Sequence, residues 1–127
     1  MSIKFHVIEK SQPGIAGGGE KKFYASALSS GDMSLEGLTK AIEKSSTVSG
    51  ADIRAVLYAL VDIMSDNLSD GKIVRLGDLG SLRVSIGSEG KSSAEEVNQA
   101  SITSSRVIFA PGKKLKEMLS ILQYSKA

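Results

Sequence analysis

The sequence predicts an α+β fold, and three patterns in its 127 residues carry that expectation. Two capped segments with apolar stripes follow one another between residues 34 and 71, as in a helical hairpin. Runs of alternating or β-branched residues stand on both sides of that pair. The last of these runs breaks at Pro111-Gly112 into a basic amphipathic helix.

The chain opens as a half-buried strand, since Ile3, Phe5 and Val7 alternate with Lys4, His6 and Ile8. Ser11 to Glu20, with Pro13-Gly14 and Gly17-Gly18-Gly19, reads as a flexible loop. Lys22 to Leu28, rich in aromatic and small residues, returns as a second strand and completes a hairpin. An isolated hairpin is marginal in water, so this one is expected to pack on the rest or join a partner's sheet.

Ser34 is a fitting N-cap for a helix over Leu35 to Lys44, with Leu35, Leu38, Ala41 and Ile42 on one face. Ser49, with Asp52 three residues on, starts a second helix in a spacing like that of a capping box. Its stripe runs through Ile53, Val56, Leu57, Leu60, Val61, Met64 and Leu68 and stops at Gly71, a natural C-terminal stop. Strand character resumes at Ile73 to Leu76, and Gly77-Asp78-Leu79-Gly80 allows a tight reversal. Leu82, Val84 and Ile86 then alternate. Gly87 to Ser105 is polar, and is either the outer part of a two-stranded arm or a disordered loop. Arg106 to Phe109 is the last strand, and Leu115, Met118, Leu119 and Leu122 form the inner face of the closing helix.

Lys113, Lys114 and Lys116 crowd the first turn of that helix. Cations there oppose the helix dipole, at a cost of a few tenths of a kcal/mol each. The placement makes sense if an anion sits at the helix start, where free N–H groups and ammonium groups together suit phosphate.

Other chemistries are poorly supplied. There is no cysteine, hence no disulfide and no thiolate metal site, which suits a reducing compartment. His6 is the single histidine, with no second one to complete a metal ligand set. Ser29-Ser30 and Ser45-Ser46 have no base nearby in sequence, and neither glycine cluster continues into a phosphate-binding Gly-Lys-Ser/Thr. No enzyme activity, cofactor, metal or small-molecule substrate is expected. No apolar run approaches the ~20 residues of a membrane span, and no secretory pattern opens the chain. A net charge of +2 permits a local basic face without requiring one.

Two runs in this order are informative: Gly77-x-Leu79-Gly80-x-Leu82 and, after an arm-sized interval to Phe109, Pro111-Gly112-Lys113-x-Leu115-Lys116. Behind a capped helical pair they resemble the HU/IHF histone-like DNA-binding proteins of bacteria, over residues 34 to about 122. The longer N-terminal region, with Lys22-Phe23-Tyr24-Ala25, looks like an HU-related branch. The resemblance implies an intertwined dimer with a helical-hairpin body, a three-stranded β saddle, a β arm and a C-terminal helix. Residues 1–33 would be an N-terminal β extension, and residues 34–127 the DNA-binding domain.

By the same resemblance, Arg75, Ser81, Arg83, Lys91, Arg106, Lys113, Lys114 and Lys116 would contact double-stranded DNA. Leu57, Leu60, Val61, Leu76, Leu79, Leu82 and Phe109 would form the dimer core, in a homodimer or a heterodimer with a paralogue. The expected role is largely sequence-independent DNA binding in the cytoplasm, within the nucleoid. The departures define an alternative, a scaffold or protein-interaction module with weak or no DNA binding. From Arg83 to Arg106, three basic residues meet three glutamates and no proline stands in the arm, whereas the family wedges an arm proline between base pairs. Leu79 and Leu82 replace phenylalanines, and Ala110 stands where the family commonly has a saddle lysine.

Overall fold

The computed structural model describes residues 1–12 and 14–127; Pro13, part of the loop expected from the sequence, lies outside the described residues. The chain divides into two compact units, Met1–Leu38 with Ser120–Ala127, and Thr39–Leu119.

The first unit is built on a three-stranded sheet. Strands β1 (Ile3–Lys10) and β2 (Lys22–Ala27) form the expected antiparallel hairpin, from Phe5↔Ala27 to Lys10↔Lys22. A third strand, β6 (Tyr124–Lys126), lies parallel to β1 on its other edge, with Ile3 opposite Tyr124. The hairpin therefore gains its third strand from residues more than a hundred positions away, which answers the instability of a lone hairpin. Parallel strands need a crossover, and here nearly the whole chain supplies it. The same unit holds the start of helix α1 (Leu35–Ser45), where Ser34 Oγ accepts the Gly37 N–H at 3.0 Å, the capping expected of it.

The second unit contains the rest of α1, helix α2 (Gly50–Ser69), a second sheet of β3 (Val74–Arg75), β4 (Gly80–Ser88) and β5 (Ile102–Pro111), and most of helix α3 (Lys113–Ser120). Ser49 caps α2 by accepting the Asp52 N–H at 3.3 Å. Glu43 adds a bond that its sequence position did not reveal: its Oε2 accepts the Gly50 N–H at 2.6 Å. A carboxylate at a helix N-terminus is favoured by the dipole. A Cβ at residue 50 would come within 2.6 Å of that oxygen, so a larger residue there would displace the Glu43 carboxylate. At the other end Gly71 takes φ +82°, the Gly71 N–H reaches Leu68 O and the Lys72 N–H reaches Asn67 O, a Schellman stop.

Three expectations need correction. The final helix ends at Ser120, so Leu122 is not on its inner face, and the chain turns instead into β6. The first strand after α2 is only Val74–Arg75; the bond from the Leu76 N–H to Gly80 O keeps its register with β4, and the turn that follows is closed by the Leu79 N–H on Leu76 O. The last strand begins at Ile102 rather than Arg106, paired with β4 from Gly80↔Pro111 out to Ser88↔Ile102. A run of Thr and Ser is too polar to announce a strand, and here ladder pairing decides the conformation.

Candidate nucleic-acid interface

The two sequence runs that stand thirty residues apart meet in the fold. Gly80 pairs with Pro111, the Gly112 N–H donates to Leu79 O at 2.9 Å, and the Lys114 N–H donates to Asp78 O at 3.2 Å. A Cβ at Gly112 would lie 2.5 Å from the Asp78 oxygen, and one at Gly80 would strike the Phe109 ring at 2.9 Å. The glycines thus seat the corner against the start of α3. They also use two backbone donors at the helix start that phosphate was expected to find free.

Strand periodicity sorts the sheet into two faces. Arg75 is opposite Ser81, Arg83 opposite Ile108, and Arg106 opposite Ser85, so all three arginines share one face. Ile73, Arg75, Ser81, Arg83, Ile108 and Ala110 line one shallow hollow on it. Lys116 of α3 lines an adjoining hollow together with Arg75, Ser81 and Ala110. None of the three strands carries an aspartate or glutamate. The arginines and Lys116 are exposed, which keeps their charge available to a ligand. Three unopposed guanidinium groups on a flat face suit phosphate oxygens, which they bind in a bidentate way.

The opposite face carries Val74, Leu82, Val84, Ile86, Val107 and Phe109. Of the expected dimer-core residues, Leu57, Leu60, Leu76 and Leu82 are half-buried, while Val61, Leu79 and Phe109 are exposed. Val56 and Ile63 of α2 are 64% and 60% exposed. Ile63 lay outside the stripe read from the sequence, and its side chain widens the open apolar surface of α2.

Lys91, Lys113 and Lys114 are not drawn into the arginine hollows. Lys113 and Lys114 are exposed on the first turn of α3, and Lys91 pairs with Glu89 at 3.0 Å in the tip beyond the ladder. The tip is folded. Short 3-10 turns span Ala94–Glu96 and Gln99–Ser101, Asn98 caps the second, and Ser101 is buried. Glu89, Glu95 and Glu96 all lie in it, with the Ser92 hydroxyl on Glu96 at 3.1 Å. The near-neutral arm of the sequence therefore resolves into a basic paired stem and an acidic tip. Composition could not separate the two; only the strand register does.

A family model, HU-HIG, described as an HU domain fused to a winged helix-turn-helix, an immunoglobulin-like or a glycine-rich motif, matches residues 1–126. Among solved structures, the chain is similar to one from Bacteroides vulgatus described as a "putative bacterial DNA binding protein". The TM-score is 0.64 at 16% identity, over 98% of this chain and 48% of that one. The chain thus spans about half the length of that protein. No curated protein matches the chain.

Proposed function

The chain belongs to the HU-HIG family, and from that premise we propose that it is a dimeric, largely sequence-independent DNA-binding protein that helps organise the nucleoid. The observation that carries this reading is the face bearing Arg75, Ser81, Arg83 and Arg106, extended by Lys116, on strands without a carboxylate. Phosphate contacts give affinity without reading sequence. Lys113 and Lys114 add charge beside this face. Lys91 contributes little, since Glu89 already neutralises it and the acidic tip is repelled by phosphate. The description of the Bacteroides vulgatus protein supports the same direction.

A second copy accounts for the apolar surface. Among the described residues Ile53, 5% exposed, is the only buried large apolar side chain, and the chain exposes 10220 Å². Two closed units of these sizes would expose about 7,800 Å² together. Leu57, Leu60, Val61, Leu76, Leu79, Leu82 and Phe109 are the residues we place at the interface, within a DNA-binding domain of residues 34–127.

The acidic tip and the missing arm proline favour a second reading, a scaffold of the same fold with weak or no DNA binding. Sedimentation and gel retardation separate the two. The proposed function predicts a dimer at micromolar concentration that retards unrelated duplexes of equal length alike. A dimer that leaves all duplexes unretarded at low salt is the scaffold, and a monomer contradicts both.

A further inference from the structure

The N-terminal sheet contributes no residue to the arginine face. Its even-numbered β1 positions share one face. Lys4 is opposite Ser125, His6 opposite Ser26, Ile8 opposite Tyr24, and Lys10 directly opposite Lys22. Like charges placed directly across a ladder repel each other. Among the described residues, no carboxylate forms an ion pair with Lys4, Lys10 or Lys22. Glu9 falls on the other face, opposite Phe23. Among the described residues, Lys10 instead places its ammonium 4.9 Å from the Tyr24 ring. This contact holds the charge over the sheet without neutralising it.

We infer that this face is a second phosphate-binding surface for duplex DNA, carried by Lys4, Lys10 and Lys22. The inference rests on the DNA-binding reading above. From Lys4 to Lys10 the face runs ~20 Å along the strand, long enough to follow several phosphates. A bound backbone would supply the negative charge that the Lys10–Lys22 pair lacks. Nucleic acid fits better than a lipid surface because of where the apolar groups sit. Surface binding to membranes needs apolar area inserted beside the charges. Here Val7, Phe23 and Tyr124, 46%, 70% and 65% exposed, stand on the opposite face, while Ile8 and Tyr24 on the basic face are half-buried.

The test compares the whole chain with the K4Q/K10Q/K22Q variant on a duplex across a salt series, with anionic phosphatidylglycerol vesicles as a parallel arm. The expected result is at least a tenfold loss of DNA affinity and a salt slope shallower by roughly five, for three lysines on each of two copies. K22Q alone should weaken DNA binding yet melt no lower than the parent, because it relieves a like-charge pair. Those opposed signs exclude unfolding as the cause. Parent binding with the triple variant unchanged in affinity and slope overturns the inference and leaves the arginine face standing. Loss of vesicle binding with DNA binding intact overturns it in favour of a membrane surface. A parent that binds no duplex at low salt overturns both readings.

Discussion

The two sheets follow the same plan with different means. Each has three strands, one mainly apolar face, which in the N-terminal sheet also carries Glu9 and Lys126, and one face whose charged groups are cations without a carboxylate. The β3-β4-β5 sheet is made by neighbours in sequence, turned at a glycine corner, and its cations are arginines. The β2-β1-β6 sheet is made from the two ends of the described chain, and its cations are lysines. Arginine presents a planar fork that fits phosphate at fixed geometry, whereas lysine is a mobile point charge. Under the proposed function, positioning of the DNA falls to the arginine sheet and supplementary charge to the lysine sheet.

The largest expected effect bears on the apolar side of the first of these sheets. Phe109→Ala should cost about 3 kcal/mol if a second copy buries the ring, as for a core phenylalanine. Its 45% exposure in the single chain would predict much less. Unfolding midpoints followed against protein concentration decide, because a dimer's midpoint moves with concentration and a monomer's does not.

The cationic faces give the next contrast. R75Q/R83Q/R106Q should weaken duplex binding about a hundredfold, ~2.8 kcal/mol, against about tenfold for the lysine triple. Fluorescence anisotropy at one fixed salt concentration ranks the two. Equal losses would mean that both sheets contribute charge alone and that guanidinium geometry is irrelevant.

How far the fold was legible follows from the same contrast. Much of the arginine sheet was readable, because Leu82, Val84 and Ile86 alternate, the corner is fixed by Gly77 and Gly80, and the helix start is marked by Pro111-Gly112, but the polar Ile102–Ser105 part of β5 was not. Both helices and the caps Ser34 and Ser49 were readable for similar local reasons. Tyr124-Ser125-Lys126 was not, since three residues have no period and their strand exists only through pairing with Ile3 to Phe5. Glu43 was hidden likewise, because its bond to Gly50 depends on the angle between two helices. At the candidate site the residue types were legible and their sorting was not. Arg83 and Arg106 look balanced by Glu89, Glu95 and Glu96 until the register puts the first two in the ladder and the last three at the tip.

Ending the chain after Gln123 should injure one sheet and spare the other. Without β6, β1 and β2 form a two-stranded hairpin of marginal stability. Hydrogen exchange should accelerate at least tenfold in Ile3–Lys10 and stay unchanged in Gly80–Ser88. Faster exchange in both would show that the sheets open together.

Within the proposed phosphate-binding cluster a finer difference is expected at α3. Lys116→Gln should weaken DNA binding several-fold and by more than Lys113→Gln, because Lys116 lines a hollow with Arg75 and Ser81. The smallest effect belongs to Lys91→Gln, less than threefold in a gel-shift titration. Strong loss there would mean that the tip, not the stem, meets the nucleic acid.

The central claim is that phosphate contacts made from a carboxylate-free face hold the DNA, and the salt dependence of duplex binding tests it most directly. Each phosphate neutralised contributes a slope of about −0.9 to log K against log salt. Three arginines and Lys116 on each of two copies give a slope of roughly −7, and the lysine sheet makes it steeper. A linear plot at least that steep is the predicted result. Binding that is flat in salt, or absent at low salt, would contradict the account.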